Sequence, residues 1–353
     1  MIECVDLFCG LGGLTHGLSL GGVDVAAGID VDPAGRFPYE QNNSACFVEK
    51  DISTLSGSDL KAHWKRGQCT LLAGCAPCQS FSTYSRKYRQ AGVSEKRRAD
   101  RKWALVSEFA RLIDESEPDM VTMENVPQLL DHAVFPQFLA RLSKYHVWHE
   151  IVDCSRYGVP QTRKRLVLLA SRLGPIALKR SSINELPIPT VQAAIFGLPK
   201  LRAGEVDPND AMHSACKLSA LNSKRIRASK PGGTWRDWPQ SLVADCHRKE
   251  AGETYPSVYG RMEWLAPAPT ITTQCFGYGN GRFGHPEQDR AITLREAAIL
   301  QTFPRSYKFL PAGKRAVYSV MGRLIGNAVP VKLGEAIGVA LCNHVRSSQA
   351  SNT

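Results

Sequence analysis

Several things are missing from these 353 residues, and each absence narrows the field. We find no run of about 18 apolar residues, so no membrane-spanning helix is expected. No charged and apolar leader precedes the first strand-like segment, so no secretory signal is read. No internal repeat or low-complexity tract interrupts the chain, which argues against a solenoid or a disordered tail protein. Acidic residues are in short supply: 33 Asp and Glu against 44 Lys and Arg leave a formal charge of +11. That excess points to a polyanionic partner, with nucleic acid first, and simple solubility as the bland alternative. Cysteine is not scarce. The eleven cysteines are odd in number, scattered and mostly set in apolar runs, so a reducing compartment fits better than a disulfide framework.

What is present reads as an enzyme-sized α/β chain with room for two domains. Residues 2–8 form a buried strand, Gly10, Gly12 and Gly13 a turn, and Leu14 to Leu20 a helix. Val23 to Ile29, Phe47-Val48, Thr70 to Ala73 and Met120 to Met123 read as further strands. Between the last two, Leu105, Phe109, Leu112 and Ile113 recur at helical spacing. Strands alternating with helices imply a largely parallel sheet covered on both faces. Two more strands, His146 to Val152 and Leu166 to Ala170, flank a polar loop carrying Gln161, Arg163 and Arg165. Past about residue 172, Pro, Gly, Trp and Arg become frequent and periodicity fades. A late strand is expected at Thr270 to Thr273, with helices at Leu294 to Leu300 and Val331 to Val345.

The segment Ala73-Gly74-Cys75-Ala76-Pro77-Cys78-Gln79 places a thiol just past a strand end, where open α/β sheets hold their ligands. Cys78 becomes a soft nucleophile if nearby cations favour its thiolate, and the basic stretch from Arg86 to Lys102 supplies them. Cys75-x-x-Cys78 also fits a redox or zinc clip, but no second Cys or His pair completes a metal site and none is expected. Glycines 10, 12 and 13 follow a strand and open a helix, where an anionic or nucleotide group is welcome. Their spacing is not Gly-x-Gly-x-x-Gly, which weakens a nicotinamide reading. Asp30, about twenty residues later, suits a ribose, and Asp51 an adenine amino group; either also suits a helix cap. Glu124 ends a strand beside that of Cys78 and can serve as a proton donor to a ring nitrogen. Arg163 and Arg165 are expected on one face of an extended segment. Residues 80–102, with Tyr84 and Tyr88 among the cations, resemble a lid over an anionic substrate.

In this order the motifs resemble the DNA cytosine-5 methyltransferases of bacterial type. The resemblance rests on Asp6-Leu7-Phe8-Cys9-Gly10-Leu11-Gly12-Gly13, Pro77-Cys78-Gln79-x-Phe81-Ser82, Glu124-Asn125-Val126 and Gln161-x-Arg163-x-Arg165. Further on, Arg295-Glu296-Ala297-x-x-Leu300-Gln301-x-Phe303-Pro304 and Gly326-Asn327-Ala328-Val329-Pro330 also match. It implies an S-adenosylmethionine-dependent, Rossmann-like α/β fold with a smaller, irregular target-recognition domain. The implied division is a catalytic domain over 1–180, recognition over 181–290, a hinge and second-domain return over 291–311, and a C-terminal helical return over 312–353. By resemblance, Phe8 stacks on the cofactor adenine, Asp51 holds its amino group and Asp30 the ribose, with Val31 and Ile52 also in the cofactor site. Gly10, Leu11 and Gly13 cradle the methionine end; Pro77, Leu105, Asn327 and Val329 complete the pocket. Cys75 stands where the family has a second glycine, adding a side chain near the methionine end.

The same resemblance casts Cys78, Glu124, Arg163 and Arg165 as catalytic, acting on a cytosine flipped from duplex DNA. Ser82, Tyr84, Arg86, Lys87, Arg89, Arg97 and Arg98 are the expected DNA contacts. A monomeric enzyme in the cytoplasm, at the nucleoid, with a cognate restriction endonuclease as possible partner, completes the picture. The rivals are an RNA cytosine-5 methyltransferase of the same fold, a non-enzymatic DNA-binding protein and a nicotinamide oxidoreductase.

Overall fold

The computed structural model describes residues 1–77, 93–179, 187–249, 252 and 254–350; over 93–103 the helix is described but not its side chains. The chain divides into two compact units. One comprises Met1–Tyr157, Lys164–Glu185 and Val329–Thr353, the other Gly158–Arg163 and Leu186–Ala328.

The first unit is built on strands β1 (Ile2–Leu7), β2 (Asp24–Asp30), β3 (Cys46–Glu49), β4 (Cys69–Gly74), β5 (Met120–Asn125) and β6 (His146–Asp153). Past the short β7 (Gln161–Thr162), which belongs to the other unit, β8 (Lys164–Ser171) completes the sheet. The order is β3-β2-β1-β4-β5-β8-β6. β8 runs antiparallel to both β5 and β6, whereas β1 to β5 pair in parallel. The chain winds outward from β1 through β2 to β3, then returns to the other side of β1 as β4. That reversal is a topological switch point, and the crevice beyond the carboxyl ends of β1 and β4 is where such sheets bind ligands.

Every residue of β1 and of β5 is buried, as expected of central strands covered on both faces. Between the strands run α1 (Gly13–Leu20), α2 (Arg36–Asn42), α3 (Gly57–Lys61), α4 (Val93–Ser116) and α5 (Val134–Arg141). α4 turns Val106, Phe109, Ala110, Leu112 and Ile113 into the core against Leu72, Val121 and Leu168. Burying each such large side chain stabilises the unit by roughly 1.5–3 kcal/mol. α3 opens on a capping box, with Ser56 accepting from the Asp59 N–H and Asp59 accepting from the Ser56 N–H. The C-terminal helix Val331–Ala350 packs on α1 so closely that a Cβ on Gly17 would lie 2.4 Å from the Val331 carbonyl oxygen.

The second unit holds β7, β9 (Val206–Asp207), β10 (Asp210–Ser214) and β11 (Ala268–Pro269), together with helices including Leu294–Leu300 and Tyr318–Asn327. Polar side chains do much of the fixing that strands do in the first unit. Arg261 donates to the carbonyls of Ile226, Ser229, His285 and Gln288 and pairs with Asp289. Arg290 grips both oxygens of Glu296, neither residue being exposed.

Four expectations need correction. The late strand is Ala268–Pro269, paired with β7, and not 270–273. Arg165 lies within β8, so the expected polar loop is shorter. The C-terminal return begins at Val329 rather than 312, because the helix Tyr318–Asn327 seats Gly322 against Phe276 and Gly326 against Thr272 in the second unit. Residues 318–350 do contain a stretch that is long and apolar enough, by composition alone, to cross a membrane. The stretch is broken into two helices at Ala328-Val329-Pro330, Pro330 having no N–H to continue the first, and 61% of it is buried.

Candidate active site

The switch point gathers the first and second expected site segments. After β1, Phe8 and Gly10 both take left-handed backbone, with φ of 60° and 51°. Gly10 is suited to it; a Cβ built there would meet nothing within 4 Å, so open space lies over the turn. The Gly10 N–H donates to Asp30 Oδ2 at 2.9 Å, and the Asp32 N–H to Asp30 Oδ1 at 2.9 Å. Asp30 therefore braces the glycine turn as well as standing at its rim, and burial raises its pKa against those two donors. Leu11 is buried, and Gly13 opens α1. Asp51 caps a short helix, accepting from the N–H and hydroxyl of Ser53, each at 2.9 Å. Val31 is 66% exposed at the rim, whereas Ile52 is 3% exposed and packs in the core.

Beneath the turn lies Asp6, wholly buried at the end of β1, accepting from the Thr15 hydroxyl at 2.6 Å. Burial pushes its carboxyl up to about 7, opposed by the Thr15 hydrogen bond and helped by the Asp30 charge. The folded protein thus holds a proton that the unfolded chain releases near pH 4. Its stabilising contribution is complete below about pH 4 and is lost as pH rises toward about 7, at about 1.4 kcal/mol per pH unit. Asp6→Asn should remove that slope. In urea unfolding from pH 4 to 8, the variant should gain on the native protein as pH rises; a constant difference would sink this account.

The third and fourth segments meet at the ends of β4 and β5. Gly74 is in register with Met123, so Cys75 and Glu124 are neighbours across the ladder. Glu124 is 3% exposed. Arg165 Nε, projected from β8, lies 2.8 Å from its Oε1, and the Cys75 thiol donates to its Oε2 at 2.9 Å. Asn125 donates to the Ala76 carbonyl, tying the strand end to the segment that leads to Cys78. Pro77 is half-buried at the end of this segment, and Leu105 of α4 is a partly buried residue packed against the core. Cys78 lies outside the described residues, as do Ser82, Tyr84, Arg86, Lys87 and Arg89; Arg97 and Arg98 fall on α4, where only the helix is described.

Arg163 departs from expectation. It is 1% exposed in the second unit, where its guanidinium donates to the carbonyls of Ile271, Gly326 and Ala328. Arg165 instead serves Glu124 in the first unit. The chain passes from one unit to the other between Arg163 and Lys164. Gln161 likewise locks the second unit, donating to Leu300 O and Gln301 and accepting from the Ile271 N–H. Asn327 is exposed at the end of its helix in that unit, while Val329 is buried where the chain rejoins the first. The Cys75 contact with Glu124 was missed: the sequence placed that side chain toward the methionine end. The only signal was a cysteine where the family has glycine, one residue past the strand that pairs with that of Glu124.

The sequence profile of the C-5 cytosine-specific DNA methylases matches residues 2–343. The chain is 52% identical over 342 residues to the Type II methylase M.HgiDII of Herpetosiphon aurantiacus, covering 96% of this chain and 94% of that protein. It is 32% identical to the Type II methyltransferase M1.BsuMI of Bacillus subtilis, over 94% of this chain and 78% of that one. In fold it is similar to a prophage-encoded E. coli protein described as a DNA modification methyltransferase, with TM-score 0.71 at 21% identity, covering 98% of this chain and 100% of the other. The S. pombe Dnmt2 methyltransferase aligns with TM-score 0.62 at 16% identity, over 98% of this chain and 99% of that one. A switch-point crevice over a glycine turn, a buried carboxylate beside the Pro-Cys segment and this match across nearly the whole length lead to one conclusion: the chain belongs to the C-5 cytosine-specific DNA methylase family and is a DNA (cytosine-5-)-methyltransferase.

Proposed function

We propose that this enzyme uses Cys78 as nucleophile, Glu124 as acid and Arg165 as its brace, and takes its methyl group from S-adenosylmethionine. The observation that carries the reading is the buried Glu124 carboxylate, held by Arg165 at 2.8 Å on the strand next to the one that leads to Cys78. The open space over Gly10, with Asp30 at its rim, suits a nucleoside bearing a charged amino-acid end. Phe8, Gly10, Leu11, Gly13, Asp30, Val31, Asp51, Ile52, Pro77, Leu105, Asn327 and Val329 are the residues that would hold it. When bound, S-adenosylmethionine supplies an electrophilic methyl group on a sulfonium centre.

The chain's part is to make carbon 5 of cytosine nucleophilic. The Cys78 thiolate adds to carbon 6, and the electron pair of the 5,6 double bond is pushed toward carbon 5 and the ring. A proton taken up from solvent on Glu124 meets the charge that develops at ring nitrogen 3, by transfer or as a hydrogen bond, and Arg165 keeps that carboxyl in place. Carbon 5 takes the methyl group, then gives up its proton to water. The returning electron pair restores the double bond and expels Cys78 as thiolate. Reaching carbon 6 in a duplex requires the base to leave the stack. The cations of residues 80–102 supply phosphate contacts, and the second unit reads base edges in the role of target recognition. Duplex DNA at the cytoplasmic nucleoid is then the substrate, and a restriction endonuclease of the same target site is the matching partner, in keeping with Type II relatives.

Duplex DNA carrying 5-fluorocytosine at the target site tests the scheme, because fluorine cannot leave as the proton does. Incubated with the methyl donor, the native enzyme should form an adduct that survives denaturing electrophoresis and maps to Cys78 by peptide mass. An active enzyme that leaves no adduct, or one mapped to another residue, would overturn it.

A further inference from the structure

We propose that Cys75 is a positioning residue: its thiol latches Glu124 Oε2 in the orientation that receives the substrate base. This rests on the reading of Glu124 as the catalytic acid. The Cys75 N–H donates to the Leu7 carbonyl at 3.3 Å, continuing the β1–β4 pairing one residue past the strand, so the backbone that carries the thiol is held. From there Sγ donates to Glu124 Oε2 at 2.9 Å, across the ladder from β4 to β5. The other oxygen, Oε1, faces the Arg165 guanidinium at 2.8 Å. The carboxylate thus has two unequal partners, a largely shielded guanidinium paired by charge at Oε1 and a neutral thiol hydrogen-bonded at Oε2.

The inequality has a chemical use. Pulling Oε1 from Arg165 would break a desolvated ion pair, which is costly. A thiol is a weak donor, so Oε2 is the oxygen released at little cost when a ring nitrogen arrives. Until then the thiol keeps a side chain with several rotatable bonds in one rotamer, so that ordering is already complete when the base enters. A glycine at position 75 supplies no such donor, and an alanine fills space without one.

The test measures single-turnover methyl transfer and steady-state kcat and KM with duplex DNA and labelled S-adenosylmethionine. Cys75→Ala is expected to lower kcat about five- to tenfold, with KM for both substrates within about twofold. Cys75→Ser, which restores a donor, should recover most of the rate. In a Glu124→Gln background the Cys75→Ala change should add little, because the two act as one unit. Thermal unfolding checks each variant. If Cys75→Ala does not fold, Cys75→Ser and the apolar Cys75→Val decide instead, the first active and the second impaired. An impaired Glu124→Gln together with Cys75→Ala at the native rate overturns the latch alone. Equal losses in the Ala and Ser variants, or additive losses with Glu124→Gln, do so as well. A fully active Glu124→Gln overturns the reading of Glu124 and the latch with it.

Discussion

Cys78→Ala should abolish methyl transfer to cytosine, with a fall on the order of 10⁴-fold or more, the scale seen when a covalent nucleophile is removed. Carbon 5 of cytosine is part of an electron-poor aromatic ring and does not attack a methyl donor unaided. Addition of a soft nucleophile at carbon 6 removes that aromaticity. Cys75 is three residues away in sequence, but its thiol is committed to Glu124. The substitution removes a single sulfur atom, so DNA binding and thermal stability should persist, and thermal unfolding of the variant checks the latter. Labelled methyl incorporation by the purified variant is the measurement. Transfer above about a thousandth of the native rate would show that another route exists and would remove Cys78 from the scheme.

Glu124→Gln is the second large effect expected, a loss of roughly 10²- to 10⁴-fold in kcat, the range for a positioned general acid. The amide keeps the volume of the carboxyl but cannot deliver a proton. It also leaves the Arg165 guanidinium, 13% exposed, without its counter-charge 2.8 Å away. Some loss of stability should accompany the kinetic one, since removing one member of a desolvated pair strands the other. The signature is kinetic: charge develops on the ring when Cys78 adds, so the fluorocytosine adduct should also form more slowly. An adduct formed at the native rate with turnover still blocked would place Glu124 after the addition step and contradict its assigned role.

Much of the first unit is legible in the sequence because its signals are local. A short, largely apolar segment such as Ile2–Leu7 marks a buried strand, and the recurrence of Leu105, Phe109, Leu112 and Ile113 marks one face of a helix. The glycine turn, the Pro-Cys segment and Glu124 all fall at strand ends, so a parallel sheet brings them to one rim. Position 163 shows the limit. A Gln-x-Arg-x-Arg run looks like two guanidinium groups on one face, and alternation along a strand predicts that. The chain instead leaves one compact unit for the other between Arg163 and Lys164. Arg163 is spent on three carbonyl oxygens of the second unit, while Arg165 reaches Glu124. Nothing local in the sequence marks that crossing. The second unit is less legible throughout. Its order comes from side chains such as Arg261, whose carbonyl partners lie 24 to 35 residues away.

The sequence alone determined the class of the molecule: an alternating α/β sheet, a glycine turn, a candidate nucleophile and acid, a surplus of positive charge and membership of a methyltransferase family. These follow from periodicity, composition and motif order, which need no knowledge of contacts. Only the tertiary structure decided how the carboxylate is held. Glu124 and Arg165 lie on two strands and Cys75 one residue past a third, 49 and 41 residues apart along the chain, and their meeting depends on the register of β4 on β5 and of β5 on antiparallel β8. Register is a property of the assembled sheet, since a shift of one residue turns each side chain to the opposite face.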